Sequence, residues 1–224
     1  MPAILVNNYQ LNLTNLDKIL WPEPGISKGD LINYYLEIYP YLKNFLKDRP
    51  LALKIYPDGI NGKSFFQKNL PVHAPEWLSS FQIYSSQRKE PINWLMVNKL
   101  ADLIWVANSA SLELHAWFST INNLKKPSFA VFDLDPGELS SFSEVIQVAF
   151  LIKEILDELG LKGFPKTSGQ AGLHIYLPFK EKYNYQEVKD FLRAVASTIV
   201  KLAPALATTE WRKKERAGKV YIDY

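Results

Sequence analysis

At 224 residues the chain has room for one large domain or two small ones, and a hydrophobic fraction of 47% supports a sizeable core and excludes wholesale disorder. Twenty-six Lys and Arg against 23 Asp and Glu leave a net charge of +3, so overall charge does not argue for a nucleic-acid partner; only local clustering can. The absence of cysteine excludes disulfides, thiolate zinc sites and a cysteine nucleophile, and three histidines leave little room for a His-based zinc site.

The N-terminus, from Met1 to Asn8, lacks the basic segment and apolar stretch of a signal peptide, and no apolar run approaches the roughly 20 residues of a membrane span. A soluble intracellular protein is expected. Ser27-Lys28-Gly29-Asp30 reads as a capping box, and Leu31, Tyr34, Tyr35, Ile38, Leu42 and Phe45 follow at helical spacing, with Pro40 placed to kink or divide the helix. Leu51 to Tyr56 reads as a strand, Pro57-Asp58-Gly59 as a turn, and Ser64 to Gln67 as the returning strand of a hairpin. Gln87 to Pro91 reads as an exposed loop and Asn93 to Leu103 as a helix. Ser111 to Trp117 alternates, with Leu112 and Leu114 on one face and Glu113, His115 and Trp117 on the other. A strand from Phe129 to Asp135, a helix from Ser143 to Leu159 closed by Gly160, and two short strands joined across Gly169 to Gly172 come next. A helix from Gln186 to Leu202 with Asn184 as its N-cap and a last strand from Lys219 to Asp223 complete the pattern. Strands and helices mixed in this way, many joined by hairpin-length turns, predict an α+β fold; neither common glycine-rich phosphate loop is present.

The pair Asp133 and Asp135 lies two residues apart in a strand, so both carboxylates face the same way. Two adjacent carboxylates repel unless a cation or a shared proton separates them, and hard oxygen ligands favour Mg²⁺ or Mn²⁺. Pro136-Gly137 ends the strand and leaves the pair at an edge. The pair reads either as a divalent-metal site or as two solvated aspartates before a turn. A two-metal centre usually has a third carboxylate, and Asp223 is the candidate, set against an ordinary solvated residue. In Ser168 to Tyr176 the glycines permit close backbone approach, and Ser168 and His174 side by side would suit a triphosphate; an ordinary hairpin is the competing reading. Trp211 to Lys219 carries five cations and one anion, which reads as a solvated charged face or as phosphate neutralisation. Lys18 and Lys28 flank Trp21-Pro22 and are open to the same two readings. Phe65 and Phe66 face opposite ways in a strand, which predicts one in the core and one free to stack on a base.

The ordered set Leu16 to Pro22, Lys54 to Gly59, Phe65 to Asn69, Leu112 to His115, Phe132 to Pro136, Ser168 to His174 and Gly218 to Asp223 resembles the polymerase domain of bacterial DNA ligase D. That domain is the primase-like nucleotidyltransferase of prokaryotic non-homologous end joining, in the archaeo-eukaryotic primase superfamily. The resemblance covers essentially the whole chain and implies a single primase-polymerase-like domain over residues 1–224, shortened at its C-terminus relative to the family. It implies a metal-binding triad of Asp133, Asp135 and Asp223 holding two Mn²⁺ or Mg²⁺ ions. It implies nucleotide contacts from Lys54, His115, Ser168, His174 and Arg216, an aromatic pair Phe65 and Phe66 for base and template, and a 5′-phosphate pocket at Lys18 and Lys28. Implied partners are gapped or broken DNA carrying a 5′-phosphate, an NTP or dNTP, and a Ku-like protein and a ligase, in a cytoplasmic, nucleoid-associated setting. Ile55 stands where the family usually carries Arg. Two other functions stay open: a haloacid-dehalogenase-like phosphatase, whose other motifs are not apparent, and a DNA-end-binding module with little synthesis.

Overall fold

The computed structural model describes residues 3–169 and 171–224. Gln170, inside the expected glycine turn, and Met1-Pro2 lie outside the described residues. By its internal contacts the chain divides into two compact units, Met1–Asn122 and Asn123–Tyr224, where the resemblance implies one domain. Each unit has its own hydrophobic core.

The first unit opens with a hairpin of β1 (Ala3–Val6) and β2 (Tyr9–Asn12), whose two-residue turn is Asn7-Asn8 with both residues at positive φ, the backbone that asparagine tolerates best after glycine. A second small hairpin, β3 (Ile19–Trp21) and β4 (Ile26–Ser27), leads into α1 (Lys28–Leu46). Its N-terminus is the predicted capping box: Ser27 Oγ accepts from the Asp30 backbone N–H at 3.2 Å, and Asp30 accepts from the Ser27 backbone N–H at 2.8 Å. The helix runs through Pro40 undivided.

A five-stranded sheet follows, built from β5 (Leu51–Ile55), β6 (Phe65–Gln67), β7 (Ser80–Ser85), β8 (Glu90–Leu95) and β9 (Ser111–Ala116). Strand β5 takes β6 and β8 along one edge and β9 along the other, all antiparallel. Leu51, Leu53 and Ile55 point into the core while Ala52 and Lys54 point away. Helix α2 (Leu100–Asn108) packs against α1.

Two expectations fail here. Asn93 to Leu103 is not one helix: residues up to Leu95 belong to β8, which zips to β7 over six residue pairs, and the helix starts only at Leu100. Ile92 and Trp94 are buried at strand spacing, and the ladder to β7 overrides the apolar run's helical appearance. The exposed loop is also shorter than predicted, since Glu90 and Pro91 are already in β8.

In the second unit the sheet order is β11-β12-β10-β14-β13, from β10 (Phe129–Asp135), β11 (Phe164–Thr167), β12 (Leu173–Pro178), β13 (Ala207–Thr208) and β14 (Val220–Asp223). All pairings are antiparallel except β13 with β14. One face carries Ala130, Phe132, Leu134, Ile175, Leu177, Val220 and Ile222. It packs on α3 (Phe142–Glu158) through Val145, Val148, Ile152 and Leu156, and on α4 (Tyr185–Leu202) through Leu192, Val195, Ala196 and Ile199. Each fully buried side chain of this kind contributes about 1.5–3 kcal/mol. That apolar face fixes the register, and the register decides which polar residues share the other face.

Candidate active site

Strand β10 is central in its sheet, so Asp133 has a neighbour on each side. It lies opposite His174 of β12 and opposite Asp223 of β14. Asp135, two residues on, lies opposite Tyr221. Lys166 of β11 lies opposite His174. Because side chains alternate along a strand, Lys166, His174, Asp133, Asp135, Tyr221 and Asp223 all emerge on the face away from α3 and α4.

This face is electrostatically tense. Asp133 Oδ1 is buried and accepts no hydrogen bond, and His174 Nε2 lies 3.4 Å from it. Burial pushes the Asp133 carboxyl above its usual range; His174 opposes this, while Asp135 and Asp223 add to it. His174 Nδ1 is likewise buried without a partner. Among the described residues no three of His, Asp or Glu close into a ready-made metal cluster. The donor set nevertheless fits a hard divalent ion: three carboxylates on one face, and one buried oxygen whose lone pairs nothing else takes. Asp223 lies in the ladder, paired to Asp133 through a strand that also pairs with β13.

Beside the aspartates lies a cavity of about 290 Å³ lined by Asp135, Pro136, Gly137, Ser168, Gly172, Lys213 and Arg216, among others. The turn from Ser168 to Gly172 closes on itself: the Ser168 N–H donates to the Gly172 carbonyl, and the Gly172 N–H donates to Ser168 Oγ, each at 3.1 Å. Ser168 and His174 are therefore not the cross-strand neighbours that the sequence predicts; the register pairs Thr167 with Leu173, and Lys166 takes the place opposite His174. A Cβ on Gly172 would sit 2.5 Å from the Leu134 carbonyl oxygen and 3.3 Å from Asp135 Oδ1, so only glycine lets the turn lie against the end of β10. Arg216 is buried. Its guanidinium donates to the carbonyls of Glu210 and Trp211 and stacks on Tyr221, 3.8 Å from the ring centre. Burial raises the Tyr221 phenol above its usual range, with Asp223 adding to the effect.

The first unit carries a second group. Lys54 lies opposite Glu113 of β9 on one side and Phe66 of β6 on the other. Glu113 Oε1 accepts from Lys54 Nζ at 2.8 Å and from the Tyr56 hydroxyl at 2.5 Å, while Oε2 meets His115 Nε2 at 3.0 Å. Burial pulls the Glu113 carboxyl up, but its hydrogen bonds with Lys54, Tyr56 and His115 prevail and leave it below the usual range. The Glu113 hydrogen bond holds Lys54 above its own. Phe66 lies with its ring centre 5.4 Å from that of His115 and 5.8 Å from Lys54 Nζ. Both Phe65 and Phe66 are exposed, 51% and 58%, so the expected core position for one of them is not found. Strand β6 is a three-residue edge strand, which leaves both of its faces uncovered at these positions.

Lys18 and Lys28 lie side by side in the chain path, since the Lys28 N–H donates to the Lys18 carbonyl at 2.8 Å. Lys18 pairs with Asp58 at 2.8 Å. The Lys28 ammonium is buried and donates to two neutral oxygens, Thr14 Oγ1 at 3.1 Å and the Asn108 carbonyl at 3.0 Å. Burial lowers its pKa, and the positive charge of Lys18 lowers it further. Sequence reasoning singled out none of Glu113, Tyr56, Lys166 or Tyr221 as a site residue. The signal for the first two was present: Lys54-x-Tyr56 and Glu113-x-His115 are same-face pairs in two adjacent strands.

Two compact α+β units, one presenting an Asp-Leu-Asp strand between His174 and Asp223, match a solved structure. It is the polymerase domain from Mycobacterium tuberculosis ligase D in complex with DNA, with a TM-score of 0.88, 32% identity, and 95% of this chain and 76% of that chain covered. The family model for the LigD primase-polymerase domain matches residues 27–224, and the chain belongs to that family. The bifunctional non-homologous end joining protein LigD of Bacillus subtilis is 36% identical over 216 residues. The multifunctional LigD of Mycobacterium tuberculosis H37Rv is 33% identical over 223 residues. Each alignment covers 96% of this chain, which spans 34% and 29% of those two relatives. No helix among the described residues is long and apolar enough to cross a membrane.

Proposed function

We propose that the chain is a metal-dependent nucleotidyltransferase that adds ribo- or deoxyribonucleotides to a DNA primer 3′-end at gaps or breaks during end-joining repair. The observation that carries this reading is the register around Asp133, which gathers three carboxylates and an unpartnered buried oxygen on one sheet face. Family membership supports it, as does the DNA-bound state of the solved relative.

Asp133, Asp135 and Asp223 would hold Mn²⁺ or Mg²⁺. When bound, such ions lower the pKa of a primer hydroxyl and offset charge on a leaving pyrophosphate. The chain's own groups do the rest. Ser168, the backbone of its turn and His174 bind phosphate oxygens, and Arg216 holds Tyr221 in place at the cavity wall. In the first unit, Lys54 and His115 contact the incoming nucleotide, and the exposed rings of Phe65 and Phe66 stack on base and template. Lys28, already desolvated and beside Lys18, takes the 5′-phosphate of the downstream strand, which supplies the negative charge that its two neutral acceptors lack.

The deciding assay offers a gapped duplex with a 5′-phosphate, Mn²⁺ and labelled ribonucleotides. Extension by the wild type, lost in Asp133→Ala with DNA binding retained, is the expected result. Extension that survives in Asp133→Ala rejects the assignment, and binding without extension by the wild type favours an end-binding module instead. Partnership with a Ku-like protein and a ligase, as in a nucleoid-associated repair complex, belongs to the same proposal and would appear as co-purification on broken DNA.

A further inference from the structure

Glu113 accepts from three side chains at once, two on Oε1 and one on Oε2. A carboxylate can only accept, so the hydrogen in its contact with His115 belongs to Nε2. A neutral imidazole that carries its hydrogen on Nε2 presents Nδ1 as an acceptor. The geometry has a specific origin. Lys54 is opposite Glu113 whereas Ile55 is opposite Ser111, so Leu112 is an extra residue in β9, a bulge that re-aims the strand next to Glu113. Ala52, opposite His115, is too small to compete for the imidazole.

We propose that Glu113 is a positioning residue that fixes the Nε2-protonated form of His115 and anchors the Lys54 ammonium, so that His115 Nδ1 is held as an acceptor and Lys54 as a donor for the nucleotide. This deepens the reading of His115 and Lys54 as nucleotide contacts and rests on it. As a surface ion pair alone, the Lys54–Glu113 contact would be worth little, since exposed pairs typically contribute about 0–1 kcal/mol. Its weight lies in orientation.

The substitution Glu113→Gln separates this from a structural role. Lys54 and Tyr56 both donate to one oxygen, so the isosteric amide must keep its oxygen towards them and turn its NH₂ towards His115. Nε2 then becomes the acceptor and the hydrogen moves to Nδ1. Long-range proton–nitrogen NMR of the imidazoles reads this directly in the free protein at pH 9, with His115→Asn assigning the signals. The expected result is an Nε2–H form in the wild type and an Nδ1–H form in Glu113→Gln. The melting temperature should stay close to wild type, and KM for the nucleotide should rise about tenfold with kcat little changed, as a lost hydrogen bond worth about 1.4 kcal/mol implies. A Glu113→Gln protein that keeps Nε2–H overturns the proposal whatever its activity. A tautomer that switches while KM stays unchanged overturns the nucleotide contact. A wild type that extends no primer overturns the polymerase reading and the nucleotide contact with it, while the tautomer measurement still decides the role of Glu113.

Discussion

Asp133 carries a conflict between folding and chemistry. Its folded pKa lies above the ordinary carboxylate value because burial and two neighbouring aspartates disfavour the charge. In the metal-free protein the native state therefore holds the proton more tightly than the unfolded chain. Stability is fullest below the usual carboxylate range and falls as pH rises from there through the raised folded value. Asp133→Asn removes the cost, and because the group is half-exposed, solvent screening keeps the gain at neutral pH small. Thermal melts of the two proteins from pH 4 to pH 8 should diverge as pH rises; parallel curves would show that Asp133 titrates normally. The same pair of proteins tests the metal. Mn²⁺ at ten times its Kd should stabilise the wild type by ~1.4 kcal/mol and leave Asp133→Asn nearly unmoved. Lys28 makes a different prediction. Lys28→Ala should weaken binding to 5′-phosphorylated ends about tenfold and hardly affect ends with a 5′-hydroxyl, as compared by fluorescence anisotropy. Equal loss on both ends would place Lys28 in the fold alone.

At the scale of elements, two positions show how tightly backbone and site are joined. Gly172→Ala forces a Cβ against the Leu134 carbonyl, so the turn must lift away from β10, at a cost of about 1–3 kcal/mol. Nucleotide affinity should fall further than stability alone explains, which titration of a non-hydrolysable nucleotide would reveal. Asp102 is fully buried, pairs with Lys99 at 2.8 Å, and accepts from the backbone N–H groups of Asn98 and Lys99 at the start of α2. Asp102→Ala leaves those donors without a partner and should destabilise the first unit by about 3 kcal/mol in urea titrations. Local chemistry made much of this scale readable. The capping boxes at Ser27 and Asn184 and the glycine after α3 declare themselves within four residues. Asp133 and Asp135 needed only strand parity. What could not be read was non-local. Trp94-Leu95-Met96-Val97 suits a helix or a strand, and only the ladder to β7 decides between them. Glu113 was visible as a residue on the right face, but its three partners come together through a bulge and a neighbouring strand that no local pattern announces.

At the scale of the whole molecule, the chain is only mildly basic, so the DNA binding proposed above must draw on a few placed cations. If about three phosphates are neutralised, affinity should drop roughly forty-fold between 50 and 200 mM salt. A slope more than twice as steep would mean a broad basic surface instead. The ladder in the second unit has a further consequence, for the order of events as the chain folds. Asp133 and Asp223 are cross-strand neighbours yet about ninety residues apart in sequence, with two α-helices, a short 3-10 helix and three strands described between them. Contacts of such separation close late, because the intervening loop must lose its freedom before the pairing can reward it. A half-folded second unit thus keeps Asp223 apart from Asp133 and Asp135. Under the metal reading proposed above, capture of the ion would mark the last stage of folding, and a chain caught midway would be inert as well as incomplete.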